Sequence, residues 1–297
     1  MKIANRTIDR DSKPYIIAEI GVNHDGCLEV AQALIEKAAL AGADAVKFQI
    51  FDAQTLLSSA AGLTEGQIQS GEQNAQEMLQ RLSLSFTDLD KAIHTAHDLN
   101  VHAIASVFSM QLVDLSAQQD WDAFKIASPD LINHPLITSL TLTGRPLIVS
   151  TGASTMEEVH AAAKLIGVHP YIFMHCVSAY PTPDEQAHLG GIIALAEGND
   201  QAIGYSDHTT SLDTGALAIA AGASVLEKHL TYDQLAGGPD HAMSLDASAL
   251  QTYISLAHRA YGMLGNPIKE PGTVELEVRS LTRQSLTSTR SLLQGTI

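Results

Sequence analysis

His208 and His229 stand in two short apolar segments, IGYSDHT (203–209) and LEKHLT (226–231). Two neutral imidazoles suit one divalent cation such as Mn, Fe, Co, Ni or Zn, and leave coordination positions open for a substrate. Either histidine alone reads as an ordinary hydrogen-bonded side chain. The chain has 13 of them, and His24, His94, His97 and His258 have no comparable claim. What sets the pair apart is that both should end neighbouring strands, with Asp207 beside them. Lys47, Lys125, Ser128, Ser150 and Ser206 suit a different task. Two ammonium groups and three hydroxyls make an anion cradle, and the turn VSTGAST (149–155) adds backbone amides where a strand gives way to a helix. The same turn also reads as a helix cap at Ser154 or Thr155 ahead of Glu157 and Glu158, and both readings can hold.

These side chains can meet only if a scaffold brings distant segments together. Between residue 14 and about residue 265, short apolar runs alternate with longer amphipathic, Ala-rich stretches. Strands are expected at 15–20, 45–50, 101–107, 123–127, 146–150, 171–175, 202–206 and 224–230. Helices are expected between them, for example at 27–41, 86–99, 155–166 and 213–221. Most of the strands are apolar throughout, as strands buried on both faces should be. Eight strand–helix units in about 250 residues predict an α/β fold closed into a (β/α)₈ barrel. No GxGxxG follows the first strand, which weighs against a dinucleotide-binding sheet.

In such a barrel the C-terminal strand ends face one shared mouth. Taken in order, they offer Glu19, then Lys47 with Gln49, Ser106, Lys125 with Ser128, and Ser150. His175 with Ser178 and Tyr180, Ser206 with His208, and Glu227 with His229 complete the circle. Alternation puts Lys47 and Gln49 on one face, and likewise Glu227 and His229, while Lys228 points to the outer face. Unpaired buried charges are costly, so this crowd of polar ends implies ligands or mutual pairing. Residues 51–85 form a long excursion after the second strand, rich in Ser, Gly and Gln. It reads either as a substrate wall or lid, or as a surface loop.

Composition narrows the class. Of the 297 residues, 45% are hydrophobic and 17% charged, which suits a globular core. A net charge of −16 excludes a general nucleic-acid or anionic-membrane surface. No apolar run approaches the roughly 20 residues that span a bilayer. The N-terminal segment has charges where a signal peptide needs an apolar stretch. Two distant cysteines make neither a disulfide framework nor a zinc motif, so a reducing cytoplasm is the default compartment.

AEIGVNHDG (18–26), ADAVKFQ (43–49), FKIASPDL (124–131), VSTGAST, HCVSAYPTP (175–183), IGYSDHT, LEKHLT and GGPDHAMSLD (237–246) together resemble the sialic acid synthase family. That family includes synthases of sialic, legionaminic and pseudaminic acids. The resemblance implies condensation of phosphoenolpyruvate with an N-acetylated amino sugar. Lys47, Lys125, Ser128, Ser150, Ser178 and Ser206 would hold phosphoenolpyruvate, and Glu19, Gln49, Tyr180 and Asp240 the sugar. His208 and His229 would hold a divalent metal, most often Mn²⁺, with Mg²⁺ or Co²⁺ as options. Glu19, Lys47, Lys125 and His229 are the expected catalytic set, and a homodimer is the expected assembly.

Some positions depart from the family pattern. Ser178 replaces an Asn found in many members, Pro129 replaces a Gly, and SVFSM (106–110) replaces TPFD, which bears on the sugar more than on the reaction. Residues 1–265 are expected to form the barrel. Residues 266–297 resemble the linker and first strand of an antifreeze-like domain whose remainder is not in the chain. Two other readings compete. A 3-deoxy-ulosonic acid synthase acting on a phosphorylated aldose would need a second basic cluster. A non-catalytic sugar- or phosphate-binding barrel would have little use for a metal pair.

Overall fold

A computed structural model describes the chain except for residues 57–61, 64–66, 69–70, 200 and 297. Eight parallel strands close into a barrel: β1 (Tyr15–Glu19), β2 (Ala45–Ile50), β3 (His102–Val107), β4 (Ala123–Ile126), β5 (Leu147–Ser150), β6 (Tyr171–Cys176), β7 (Ile203–Asp207) and β8 (Ala223–His229). Each pairs with its sequence neighbours, and β8 closes on β1. A helix follows every strand: α1 (Leu28–Ala41), α2 (Phe86–Asp98), α3 (Met110–Ala117), α4 (His134–Leu142), α5 (Met156–Ile166), α6 (Gly190–Ala196), α7 (Thr214–Ala220) and α8 (Ala247–Leu264).

Local chemistry explains several boundaries. The Asn and Ser residues ahead of α4 and α2 cap free amides: Asn133 accepts from Leu136 N, and Ser85 from Asp88 N. Thr155 and Glu158 form a reciprocal capping box at α5, so the cap expected in VSTGAST is present. Gly42 ends α1 at φ +92°, where a side chain would be strained.

Two apolar layers fix the frame. Outward residues such as Ile16, Val46, Phe48, Phe124 and Leu226 pack against the helices. Inward residues Ile17, Ile104, Ile148, Ile172 and Val225 fill the lower barrel. That lower end is sealed by Ile3 and Ile8 around an antiparallel hairpin of Lys2–Ile3 and Arg6–Thr7. Filling the floor with branched aliphatics leaves only the C-terminal end for polar groups. Register then sets neighbours there. His229 lies opposite Glu19 and Glu19 opposite Lys47, while Ser106 lies between Gln49 and Lys125. Ser206 lies between Cys176 and Glu227.

Part of the 51–85 excursion lies outside the described residues. The described part includes helices Ala53–Leu56 and Ala75–Leu82. Val22, Phe51, Met78 and Leu82 form a small apolar cluster there, joined by Leu56, Leu63 and Phe108.

The chain divides into two compact units, Met1–Met263 and Leu264–Ile297. The second carries a 3₁₀ turn at Thr273–Glu275 and a helix at Leu276–Thr282. No strand occurs among its described residues, so the strand-like reading of its last residues is corrected. SLLQGT is apolar enough for a strand but has no partner strand to pair with among the described residues of its unit.

Candidate active site

The mouth holds a cavity of about 510 Å³. Lys47 and Lys125 rise into it from β2 and β4, and Glu227 from β8 stands between them. Glu227 Oε2 lies 3.2 Å from Lys125 Nζ, and its Oε1 lies 3.6 Å from Lys47 Nζ. Lys47 also pairs with Glu19 and donates to Ser106 Oγ at 3.0 Å. All four charges are almost dry, so each depends on its partners. Burial depresses both lysines. For Lys47 the paired carboxylates outweigh it and hold the ammonium above its usual range. Lys125 stays below its usual range, because burial there outweighs Glu227. The carboxylates are driven apart. Burial, opposed by Lys47, pushes Glu19 up. Burial acts on Glu227 too, but Lys125, Lys47 and His229 together hold it well below the usual range.

The next part of the wall is hydroxyl-rich. Ser128 Oγ accepts from Gly152 N at 3.0 Å and lies 3.1 Å from Cys176 Sγ. Ser150 is buried at the end of β5, and its Oγ has no hydrogen-bond partner among the described residues. A Cβ at Gly152 would fall 2.4 Å from Ser178 Oγ and 2.8 Å from Ser128 Oγ. Only glycine leaves this recess open, so TGAST is needed for space as well as for its cap. Ser206 differs from its expected part in the cradle, because its hydroxyl donates to Glu227 Oε1 at 3.1 Å.

Opposite stand the two histidines, their ring centroids 5.7 Å apart. His208 Nδ1 bonds the Val177 carbonyl at 2.7 Å, which fixes the proton there and leaves Nε2 with its lone pair. His229 Nδ1 is buried with no hydrogen bond among the described residues and lies 3.7 Å from Asp240 Oδ2. Burial lowers both histidines below their ordinary range, His229 further because His208 and Lys47 add to it. Neutral imidazoles with free lone pairs are what a divalent cation requires. Among the described residues, no group of three or more His, Cys, Asp and Glu is placed to hold a metal ion. The two imidazoles fit a divalent cation as a partial donor set, whose other ligands would come from substrate or water. Tyr180, half exposed, covers His208 with ring centroids 4.2 Å apart. Burial raises Asp240 to about 6, against the pull of Lys47.

Of the residues expected to hold substrate or metal, all but Glu19 line this one cavity. Glu19 lies beneath it, fully buried, and reaches it only through Lys47 and through Gln49, whose Nε2 donates to Glu19 Oε1 at 3.1 Å. His175 is not at the mouth. β6 runs one residue beyond the expected end, and Cys176 continues the inward set of Ile172 and Met174, so His175 faces outward, stacked on Tyr205 and bonded to the Ala187 carbonyl. Asp207 also faces out and pairs with Lys228 at 3.0 Å, so its carboxylate does not stand beside the two histidines. Lys228 is on the outer face as expected, but buried under α8 with its ammonium 5.4 Å from the Tyr253 ring centroid. The sequence placed Glu227 at the mouth without assigning it a part in binding or catalysis, and it singled out neither Gly152 nor Cys176. For Glu227 the signal was its shared face with His229.

A sequence profile of the NeuB family matches residues 34–269. The chain belongs to the NeuB family. Among its relatives, an N,N'-diacetyllegionaminic acid synthase of Legionella pneumophila is 35% identical over 95% of this chain and 82% of its own length. The N-acetylneuraminate-9-phosphate synthase of Homo sapiens is 30% identical over 95% of this chain and 80% of its own. Among solved structures, an N-acetylneuraminic acid (sialic acid) synthetase from Leptospira borgpetersenii, in complex with citrate, superposes with a TM-score of 0.87. It is 27% identical, over 96% of this chain and 98% of that one. No helix among the described residues is long and apolar enough to cross a membrane.

Proposed function

We propose that the chain joins phosphoenolpyruvate to the open-chain aldehyde of N-acetylmannosamine or a related N-acetylated amino sugar, giving a nonulosonic acid and phosphate. The observation that carries this reading is the division of one cavity. Lys47, Lys125 and the unpartnered Ser150 hydroxyl form one wall, while two neutral histidines and Asp240 form the other. An anion and an electrophile are thereby kept side by side. Names across the family differ mainly in the sugar acid made, which supports the reaction class more than any one acceptor.

In this reading, C3 of phosphoenolpyruvate bonds to the sugar's aldehyde carbon. Water adds its hydroxyl to C2, and its proton goes to the new alkoxide. Phosphate then leaves with cleavage of the C2–O bond and takes up the proton of the C2 hydroxyl, which becomes the ketone. Lys125 is the better anion partner of the two lysines, since it shares only Glu227, whereas Lys47 answers to two carboxylates. Ser128 and Ser178 flank the phosphate recess at Gly152, and Ser150 supplies a further donor. Glu19 acts through Lys47 and Gln49, setting the latter's amide toward the sugar. His208 and His229 would hold the divalent metal, most often manganese, with Mg²⁺ or Co²⁺ as options. When bound, it supplies Lewis-acid polarisation of the sugar's aldehyde oxygen.

The same reading takes residues 1–265 as the catalytic barrel and 266–297 as the start of an antifreeze-like domain. It carries with it a cytoplasmic homodimer. A phosphorylated aldose as acceptor is disfavoured, because both mouth lysines already serve carboxylates and no second basic cluster lines the described cavity. The test uses phosphoenolpyruvate with ¹⁸O in the bridging C–O–P position. Label in the released phosphate, with a product mass of sugar plus the three-carbon acid, is the expected result. Label retained in pyruvate would contradict the reading.

A further inference from the structure

Asp240 reaches the cavity from the β8–α8 loop, residues 230–246, yet the contacts that hold this loop lie outside the cavity. Its stem is closed by backbone bonds, from Thr231 N to Leu245 O and from Leu245 N to His229 O, each at 2.9 Å. Side chains from the β1–α1 loop hold it further. Asn23 Nδ2 donates to Leu230 O at 3.0 Å and to Ser244 Oγ at 2.8 Å, and Ser244 Oγ in turn donates to the Asp240 carbonyl at 2.6 Å. Asp25 makes the second tie. Its Oδ2 accepts from Tyr232 OH at 2.7 Å, and its Oδ1 lies 3.2 Å from His241 Nε2. His241 is fully buried, and its Nδ1 meets Thr231 Oγ at 2.7 Å. A Cβ at Gly238 would stand 2.8 Å from the His241 ring, so the loop closes tightly over it. Asp25 itself has φ +52°, in the left-handed region that aspartate enters more readily than most non-glycine residues.

We propose that Asp25, His241 and Tyr232 form a lock outside the catalytic cavity that positions Asp240 against the amino-sugar substrate. His241 follows Asp240 directly in the chain, so anchoring the imidazole at both nitrogens fixes the backbone from which the Asp240 carboxylate projects. None of the three lock residues lines the cavity, and each acts through Asp240 as a positioning residue. The inference rests on the sugar-binding part assigned to Asp240, and it makes the sugar half of the site separable from the phosphate half.

The test is steady-state kinetics of D25N and Y232F in the full chain, with sugar and phosphoenolpyruvate varied separately. The lock predicts that the sugar KM rises about tenfold for D25N, as expected for losing a hydrogen bond to a charged group. The KM for phosphoenolpyruvate should stay within about twofold. In a D240N background D25N should add no further effect, because the pair acts as one unit. Parallel shifts in both KM values, or full additivity with D240N, would overturn it. A second arm needs no turnover: amide exchange over residues 231–244 should quicken in D25N while the barrel strands keep their protection. Unchanged exchange there would overturn the lock. An unmodified chain that turns over no amino sugar would instead sink the substrate reading and leave the exchange arm to decide on the lock.

Discussion

Gly152 and His229 show how much rests on single side chains. At Gly152 an added methyl would enter the recess between Ser128 and Ser178. The backbone there needs no special conformation, so G152A should fold normally. We expect its kcat/KM for phosphoenolpyruvate to fall by at least about a hundredfold, with Tm within a few degrees of the parent. A near-normal kcat/KM would show that phosphate binds elsewhere. H229A should lose manganese-dependent turnover and measurable manganese binding while keeping its circular dichroism spectrum; normal turnover would remove the metal assignment. His24 makes a prediction about pH. It is buried against Phe48, and burial holds it down to about 4, against the opposing pull of Asp25. As pH falls from 6.5 to 4, the unfolded chain takes up this proton before the folded one does. Stability should therefore fall across that window, by up to ~3 kcal/mol from this residue. H24N keeps an acceptor for the Gly26 amide, and its Tm should vary less steeply between pH 4 and 6.5. Equal slopes in the two proteins would contradict this.

At the scale of elements, the outer-face pair Asp207–Lys228 ties the end of β7 to β8 beneath α8. Lys228 Nζ also donates to Thr209 O at 2.5 Å, and Asp207 Oδ1 accepts from Thr209 N at 2.9 Å. Removing one partner should be severe: K228A is expected to lose about 3–5 kcal/mol, because it strands a buried carboxylate. The double change D207L/K228M should recover most of that loss in a urea titration, and failure to recover would mean that the ions themselves are required. These elements were also the most legible part of the sequence. Apolar runs bounded by turns marked each barrel strand, since strands covered on both faces have little choice of composition. Parity placed Lys47, Gln49, Glu227 and His229 correctly. His175 was placed by its position at the expected strand end alone, whereas alternation from the inward Ile172 and Met174 puts Cys176 in the mouth and His175 outside. Asp207 was misplaced for a related reason: adjacency to His208 in sequence puts it on the opposite face. Glu19 was recognisable as a mouth residue, but not its depth beneath Gln49, which depends on how neighbouring side chains stack.

For the whole molecule, the formal charge of −16 sets the problem that the mouth must solve. An anionic substrate approaches an acidic protein, so attraction has to come from local groups in a dry cavity, where charges act more strongly than in water. The mouth provides this with Lys47, held by Glu19 and Glu227, and Lys125, held by Glu227 alone. The alternation of strand and helix told of a barrel, and the eight motifs told of its kinship, but the choice of acceptor depends on the rim. There Ser178, Pro129 and the 106–110 segment depart from the family pattern, and neither composition nor periodicity ranks one N-acetylated sugar above another. The most direct test of the central claim is release of inorganic phosphate from phosphoenolpyruvate in the presence of manganese, across a panel of N-acetylated amino sugars and phosphorylated aldoses. Release that requires one N-acetylated sugar is the predicted result, and it names the acceptor. Release that requires a phosphorylated aldose, or none with any acceptor, would contradict the account.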